Sequence, residues 1–231
     1  MENHCMKFLS VLFSICLGLL FFSGAWAGED VAQGRKLSAE LENILARVET
    51  RYAATGFSGT FKQVSTLKAM QITDHASGKI FVKRPGKMRW VYEQPDRQII
   101  ISDGVSLWIY RPDDYQVMVG KAPEFFGKGR GAAFLSDMKQ IRDQFSIFLE
   151  APDDSGDYVL RLIPVEKNFD LSRIYLTISK SGFEITRITT YNEYEDETRI
   201  DLTDIEFVRN MDDALFHFDI PEGIDILQFD E

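Results

Sequence analysis

Cysteine is absent from almost the whole chain. The only two, Cys5 and Cys16, lie within the first 27 of the 231 residues, so the remainder has neither thiol chemistry nor disulfide bonds. Histidine is nearly as rare: beyond that segment only His75 and His217 occur, each alone in its neighbourhood. A zinc site needs several ligands close together. The sequence therefore predicts no metal site and no cysteine nucleophile.

Sequence signatures of the common enzyme classes are also missing. There is no Gly-x-Ser-x-Gly motif, no glycine-rich phosphate loop before a helix and no dinucleotide-binding fingerprint. Carboxylates are plentiful, so a hydrolase with an Asp/Glu pair stays open as an alternative. We expect a binding protein with no catalytic residues and no cofactor.

Positive charge is outnumbered by negative charge. The chain carries 26 Lys and Arg against 36 Asp and Glu, a formal net charge of −10. Nucleic-acid binding requires a basic surface that neutralises phosphates, and lasting attachment to an anionic membrane also depends on basic residues. We therefore expect neither a nucleic-acid partner nor a stable membrane anchor.

One long apolar run is present, at the N-terminus. Residues 8–22 are almost all apolar, follow Lys7 and precede Ala25 and Ala27. This pattern is typical of a secretory signal peptide, here cleaved after Ala27. A membrane anchor is the alternative, but the run is shorter than the roughly 20 residues that span a bilayer. Removing 27 of the 231 residues leaves 204, so we expect residues 28–231 to form a single exported, monomeric domain with its own core.

An amphipathic helix and many short strands are predicted after this segment. Apolar residues at helical spacing run from Leu37 to Tyr52, and Gly56 ends the pattern. From Phe57 onward the hydrophobic period changes to two, which indicates strands. A second helical segment is predicted from Phe134 to Ile141. The strands are predicted from Phe57 and at 79–83, 87–92, 98–102, 105–110, 145–149, 158–163, 174–179, 183–191, 198–207 and 216–220.

About ten antiparallel strands with two or three helical insertions predict a mainly β, α+β fold. The strands are separated by turn sequences such as Pro85-Gly86 and Asp103-Gly104, which return a chain antiparallel. The sheet should be strongly twisted, either a closed barrel or an open one covered by helices. Ile99 to Ile101 place isoleucine on both faces, so a two-layer core and an internal apolar cavity are both compatible with the pattern.

Short motifs stand in the order of a known family. They are Arg84-Pro85 followed by Trp90, Gln94-Pro95, Ser102-Asp103-Gly104 leading to Leu107-Trp108-x-Tyr110, and the closing Phe216-x-Phe218-x-x-Pro221-x-Gly223. Through these motifs the chain resembles the LolA family, the periplasmic carriers of outer-membrane lipoproteins in Gram-negative bacteria. The resemblance covers nearly all of the chain after residue 27.

The resemblance implies an open, strongly curved antiparallel half-barrel covered by a helical lid, with acyl chains bound between sheet and lid. The arginine of the Arg-Pro pair, Arg84, would hold the lid shut through hydrogen bonds to lid carbonyls. A guanidinium suits this role because it has five donors and no acceptor. The residues expected to line the acyl cavity are Phe61, Met88, Trp90, Ile101, Phe134, Leu135 and Met138.

The resemblance also implies the partners. The cargo would be acylated lipoproteins, received in the periplasm from an inner-membrane lipoprotein-releasing ABC transporter and delivered to an outer-membrane lipoprotein receptor. No bond is made or broken. The alternative function is an envelope regulatory or scaffolding protein that uses the same lipid-binding fold.

Overall fold

The structure, a computed structural model, describes residues 26–53, 56–123, 139–167 and 169–228. The chain divides into two compact units, residues 1–38 and 39–231. Helix α1 (Trp26–Ala53) begins in the first and ends in the second. The predicted signal peptide lies almost entirely outside the described residues, so its cleavage after Ala27 stays a prediction.

Within the described ranges of the second unit, twelve strands form one sheet. A short helix, α2 (Lys139–Gln144), precedes β7, and a 3-10 helix (Asp213–Phe216) precedes β12. The strands are β1 (Gly56–Leu67), β2 (Ile72–Lys83), β3 (Lys87–Gln94), β4 (Gln98–Asp103), β5 (Ser106–Arg111), β6 (Gln116–Lys121), β7 (Phe145–Leu149), β8 (Tyr158–Pro164), β9 (Arg173–Ile178), β10 (Ile185–Tyr191), β11 (Glu197–Val208) and β12 (Asp225–Gln228).

The sheet is open. Its strand order is β12-β6-β5-β4-β3-β2-β1-β11-β10-β9-β8-β7, so β12 and β7 form its two edges. Neighbouring strands are antiparallel except for β12, which runs parallel to β6. Short turns connect successive strands into two meanders, and the pairing of β1 with β11 joins them. The predicted antiparallel sheet is confirmed, and of the two forms that the hydrophobic pattern allowed it adopts the open one, as the family resemblance implied.

The Ser102-Asp103-Gly104 motif joins two turns at one end of the sheet. Ser102 Oγ donates to the Gly86 carbonyl at 2.9 Å and accepts from the Gly104 N–H at 3.1 Å. Gly86 and Gly104 have φ values of +67° and +98°, a region that suits glycine because it has no Cβ. The motif therefore holds the β4–β5 turn against the β2–β3 turn, which contains Arg84.

The predicted strand at Phe216–Ile220 is wrong. Phe216 ends the 3-10 helix, whose N-cap Asp212 accepts a hydrogen bond from the Ala214 N–H at 3.0 Å, and residues 217–220 form no strand. The aromatic alternation arises because Phe216 is buried and Phe218 packs against Trp108 with ring centroids 6.3 Å apart. Strands β6 and β12 were not predicted.

The two faces of the sheet differ in what covers them. Residues paired directly across antiparallel strands lie on the same face. On one side, called here the helix-bearing face, α1 buries Ile44, Val48 and Tyr52 in the same apolar core as Phe57 and Phe61 of β1. The apolar stripe of the predicted amphipathic helix therefore packs on the sheet.

The opposite face carries charge pairs and the C-terminal segment, defined as residues 211–218. Arg187 and Arg199 both bind Asp201 on this side. The Asp213 carboxylate accepts hydrogen bonds from Lys83 at 2.8 Å and Lys87 at 2.7 Å. These two bonds join the segment to β2 and β3, and they lower the pKa of Asp213 to about 2.

Candidate functional site

Three of the predicted cavity residues come together on the helix-bearing face. Phe61, Met88 and Trp90 all belong to the buried apolar core beneath the helices. The rings of Phe61 and Trp90 meet edge to face with centroids 4.9 Å apart. The Tyr92 ring contacts Phe61 at the same centroid distance from the other side. This aromatic cluster, Phe61 with Trp90 and Tyr92, forms the centre of the candidate site.

A glycine makes room for the aromatic cluster. Gly78 on β2 pairs with Phe61 of β1 and with Tyr92 of β3, beside a register shift in the β2–β3 ladder. A Cβ at this position would lie only 1.8 Å from the Val91 carbonyl oxygen. The absence of a side chain therefore lets β2 and β3 approach, so that Phe61 can sit next to Tyr92.

Ile101 does not join this cluster. Its register partners are Arg89 on β3 and Trp108 on β5, whereas Trp90 pairs with Ile100. Because side chains alternate between faces, Ile101 lies on the face opposite Trp90, where it is fully buried. Its placement in the predicted cavity is corrected accordingly, and Ile100 packs against the core in its place. The predicted residues Phe134, Leu135 and Met138 lie outside the described residues.

Tyr52 fastens α1 to the sheet. The Ile185 N–H at the start of β10 donates to the Tyr52 hydroxyl oxygen at 2.9 Å. The Tyr52 ring also makes edge-to-face contacts with Phe57 and Phe207, with centroids 5.4 Å and 5.2 Å away. Burial raises the pKa of Tyr52 well above its ordinary value. The helical periodicity of the sequence places Tyr52 in the apolar stripe of the helix, but it does not indicate that the Tyr52 hydroxyl accepts a hydrogen bond.

Arg84 lies next to this attachment point. It is half-buried, and its guanidinium carbon lies 5.9 Å from the centroid of the Tyr52 ring. This position is at the end of α1, where backbone carbonyls need partners. The role assigned to Arg84 by resemblance, holding a lid through backbone carbonyls, stays a prediction.

A second polar contact joins the two helices. Arg142 on α2 donates to Glu42 at 2.8 Å through Nη1 and to Glu49 through Nε. Next to it in α2, Ile141 is buried in the same core as α1. Both helices therefore pack on the helix-bearing face and are tied to each other at the surface.

Among the described residues, no three His, Asp or Glu side chains lie close enough to hold a metal ion. No helix there has the length and apolarity to cross a membrane.

Residues 53–219, most of the chain, match the family described as "Outer membrane lipoprotein carrier protein LolA". The chain belongs to the LolA family. The resemblance found in the sequence motifs is thereby confirmed, and LolA proteins are carriers by name.

Individual relatives agree with the family match. An outer-membrane lipoprotein carrier protein from Nitrosomonas europaea is 31% identical over 176 residues, covering 76% of this chain and 84% of the relative. Another, from Hahella chejuensis, is 24% identical over 225 residues, covering 96% of this chain and 99% of the relative. A solved structure of an uncharacterized conserved protein from Thermus thermophilus has a TM-score of 0.54 at 12% identity, covering 82% of this chain and 99% of its own, which shows the shared fold alone.

The site residues predicted from the sequence did not include Tyr92, Ile100 or Arg142. Alternation along β3 alone places Tyr92 on the same face as Met88 and Trp90. Ile100 lies on the neighbouring strand, so placing it on this face required the β3–β4 register. Arg142 lies on a short helix whose partner carboxylates on α1 are about a hundred residues away in sequence. Sequence alone offered no signal for that contact.

Proposed function

We propose that this LolA-family protein is a periplasmic carrier that binds the acyl chains of lipoproteins released from the inner membrane and delivers them to the outer membrane. The observation that carries the proposal is the continuous apolar face of the sheet, with Phe61, Met88 and Trp90 beneath α1 and α2. Acyl chains would lie between this face and the helices.

Reversible binding requires that acyl burial be nearly balanced by a cost. Burying one CH₂ contributes about 0.8 kcal/mol, so a chain of about 15 carbons exchanges roughly 12 kcal/mol between bilayer and protein. Parting the helices from the sheet would expose the apolar core and break contacts such as the Tyr52–Ile185 hydrogen bond. That cost offsets part of the acyl burial, so cargo can be both accepted and released.

The compartment and partners follow from the same proposal. The signal-peptide pattern in residues 1–27 would export the chain to the periplasm. The inner-membrane lipoprotein-releasing ABC transporter would load it, and an outer-membrane lipoprotein receptor would unload it. Arg84 would hold the helices against the sheet between these two events.

The two tryptophans at 90 and 108 allow a direct test of where acyl chains bind. They lie on opposite faces of the same sheet, since Trp90 pairs with Ile100 and Trp108 with Ile101. A brominated fatty acid quenches the fluorescence of a tryptophan that it touches. In the chain beginning at Gly28, Trp108→Phe leaves Trp90 as the reporter, and Trp90→Phe leaves Trp108 as the matched control.

The expected result is quenching of Trp90 at fatty-acid concentrations that leave Trp108 unchanged. Quenching of Trp108 alone would show that the fatty acid does not occupy the helix-bearing face, and equal quenching of both tryptophans would show that binding is not specific to that face. Delivery is measured separately with a lipoprotein loaded from inner-membrane vesicles. Failure to pass it to an outer-membrane receptor would favour the regulatory alternative over a carrier.

A further inference from the structure

A polar pocket adjoins the aromatic cluster at the end of the sheet away from Arg84. It has a volume of about 530 Å³ and opens beside the turns that connect β3 to β4 and β5 to β6. Its wall nearest the core contains Gln63 and Tyr92, and its outer wall contains Arg97, Arg111 and Asp113.

The pocket continues the same sheet face that carries the apolar core. On β1, Gln63 follows Phe61 at a spacing of two, and on β4, Gln98 pairs with Tyr92. Alternation therefore places Gln63, Tyr92 and Gln98 on the helix-bearing face. On this face, the side chains change from apolar groups to amide and hydroxyl groups at about the same height along neighbouring strands. Tyr92 lies at this boundary.

Tyr92 belongs to both regions. Its ring packs against Phe61 in the aromatic cluster, and its hydroxyl donates to Gln63 Oε1 at 3.0 Å. Burial raises the pKa of Tyr92 to about 12, so the hydroxyl stays protonated at neutral pH. A ligand with a long apolar part and a polar end would meet a matched surface on each side of this ring.

The charges in the pocket favour an uncharged polar end. Arg97 is paired with Asp113, and this pairing lowers the pKa of that carboxyl. The Arg111 Nε donates to Gln98 Oε1 at 3.2 Å. Asp96 and Asp114 add negative charge to the outer wall, which opposes an anionic phosphate group. The inner wall of glutamine amides and a tyrosine hydroxyl can both donate to and accept from peptide groups.

We propose that this pocket binds the first peptide units that follow the acylated end of a lipid-modified polypeptide, while its acyl chains lie on the apolar part of the same face. The inference rests on the proposed function and adds a polar subsite to it. Tyr92 and Gln63 are the residues that would contact the peptide groups.

The test compares lipids that share their acyl chains. The probes are a diacylglyceryl-Cys-Ser dipeptide amide, the same diacylglyceryl thioether without the peptide, and phosphatidylglycerol, each competing with a fluorescent fatty acid. Neutral hydrogen bonds contribute about 0.5–1.5 kcal/mol each, so the lipodipeptide should bind about three- to tenfold more tightly than the peptide-free lipid. Tyr92→Phe and Gln63→Leu should each reduce this ratio to less than about twofold.

Tyr110→Phe is the matched control, because Tyr110 pairs with Ile99 and so lies on the opposite face; its ratio should equal that of the wild type. Equal affinity for the two diacylglyceryl probes, or a ratio that survives both Tyr92→Phe and Gln63→Leu, would overturn the subsite while leaving acyl binding intact. Tightest binding of phosphatidylglycerol would overturn it in favour of a phosphate site. If no lipid binds at all, the proposed function itself fails.

Discussion

The hydrogen bond between Tyr52 and Ile185 gives a sharp test of how α1 is held on the sheet. Tyr52→Phe removes the acceptor oxygen but keeps the ring, and therefore the contacts with Phe57 and Phe207. The Ile185 N–H would then be buried without its partner. Leaving such a donor unpaired costs about 1–3 kcal/mol, and for a domain of this size that lowers Tm by roughly 2–12 °C.

The assay is urea unfolding together with amide hydrogen exchange at Ile185. The free energy of unfolding should fall by the amount above, and the Ile185 amide should exchange faster than in the wild type. Tyr110→Phe provides the same chemical change on the opposite face and should leave both values unchanged. If Tyr52→Phe unfolds at the wild-type urea concentration with its Ile185 amide still protected, the bond does not anchor the helix.

The pH dependence of stability also tests the burial of the Tyr52 hydroxyl. The folded state raises the pKa of Tyr52 above the ordinary value of 10.0 because the buried phenol resists ionisation. The resulting stability is complete below pH 10 and is lost as the pH rises toward the raised value. Wild-type stability should therefore fall more steeply above pH 10 than that of Tyr52→Phe, and parallel curves would contradict the burial argument.

Three further predictions concern other parts of the chain. Gly78→Ala should lower the free energy of unfolding by about 3 kcal/mol or more, because its Cβ would clash with the Val91 carbonyl. The control is Gly156→Ala: Gly156 has a φ of +81° but open space around it, so this change should cost only roughly 1–2 kcal/mol. Equal losses of the two variants in urea unfolding would refute the clash. Arg84→Leu should still accept lipoprotein but pass on about tenfold less of it in a transfer assay. Loss of the Arg84 donors should shift the equilibrium between the closed and the open, loaded lid by about 1–3 kcal/mol toward the open state. Normal onward transfer would remove Arg84 from the mechanism. Because the pKa of Asp213 is lowered to about 2, its contribution is present above pH 3.8 and lost as the pH falls through about 2. The amide protection factors of residues 213–218, which compare exchange with the intrinsic rate at the same pH, should therefore fall near pH 2, and Asp213→Asn should lower them at neutral pH. Protection factors that are insensitive to both changes would contradict the pairing.

Local patterns predicted most of the strands and the helix. Strand β7 has the predicted bounds, and β3 begins at Lys87 as expected and runs two residues further. These elements are recognisable because turn residues such as Gly86 and Gly104 act over a few positions, and because alternation is a property of neighbouring residues. The 3-10 helix ending at Phe216 was misread, since two aromatic residues spaced by two look the same whether they line a ladder or pack on a surface.

The amino-acid sequence by itself determined the antiparallel β architecture, the family and part of the apolar face, because hydrophobic period, turn chemistry and motif order are all local. The local pattern left a closed and an open barrel as alternatives, and the open form was implied only by the family resemblance. Only the tertiary structure decided whether Ile100 or Ile101 faces the helices, since a shift of one residue in the β3–β4 register would exchange the two. It alone also brought Tyr52 to Ile185 and joined four strands around Tyr92 into a pocket. Such contacts join residues far apart in the chain, so their geometry depends on how the whole sheet packs.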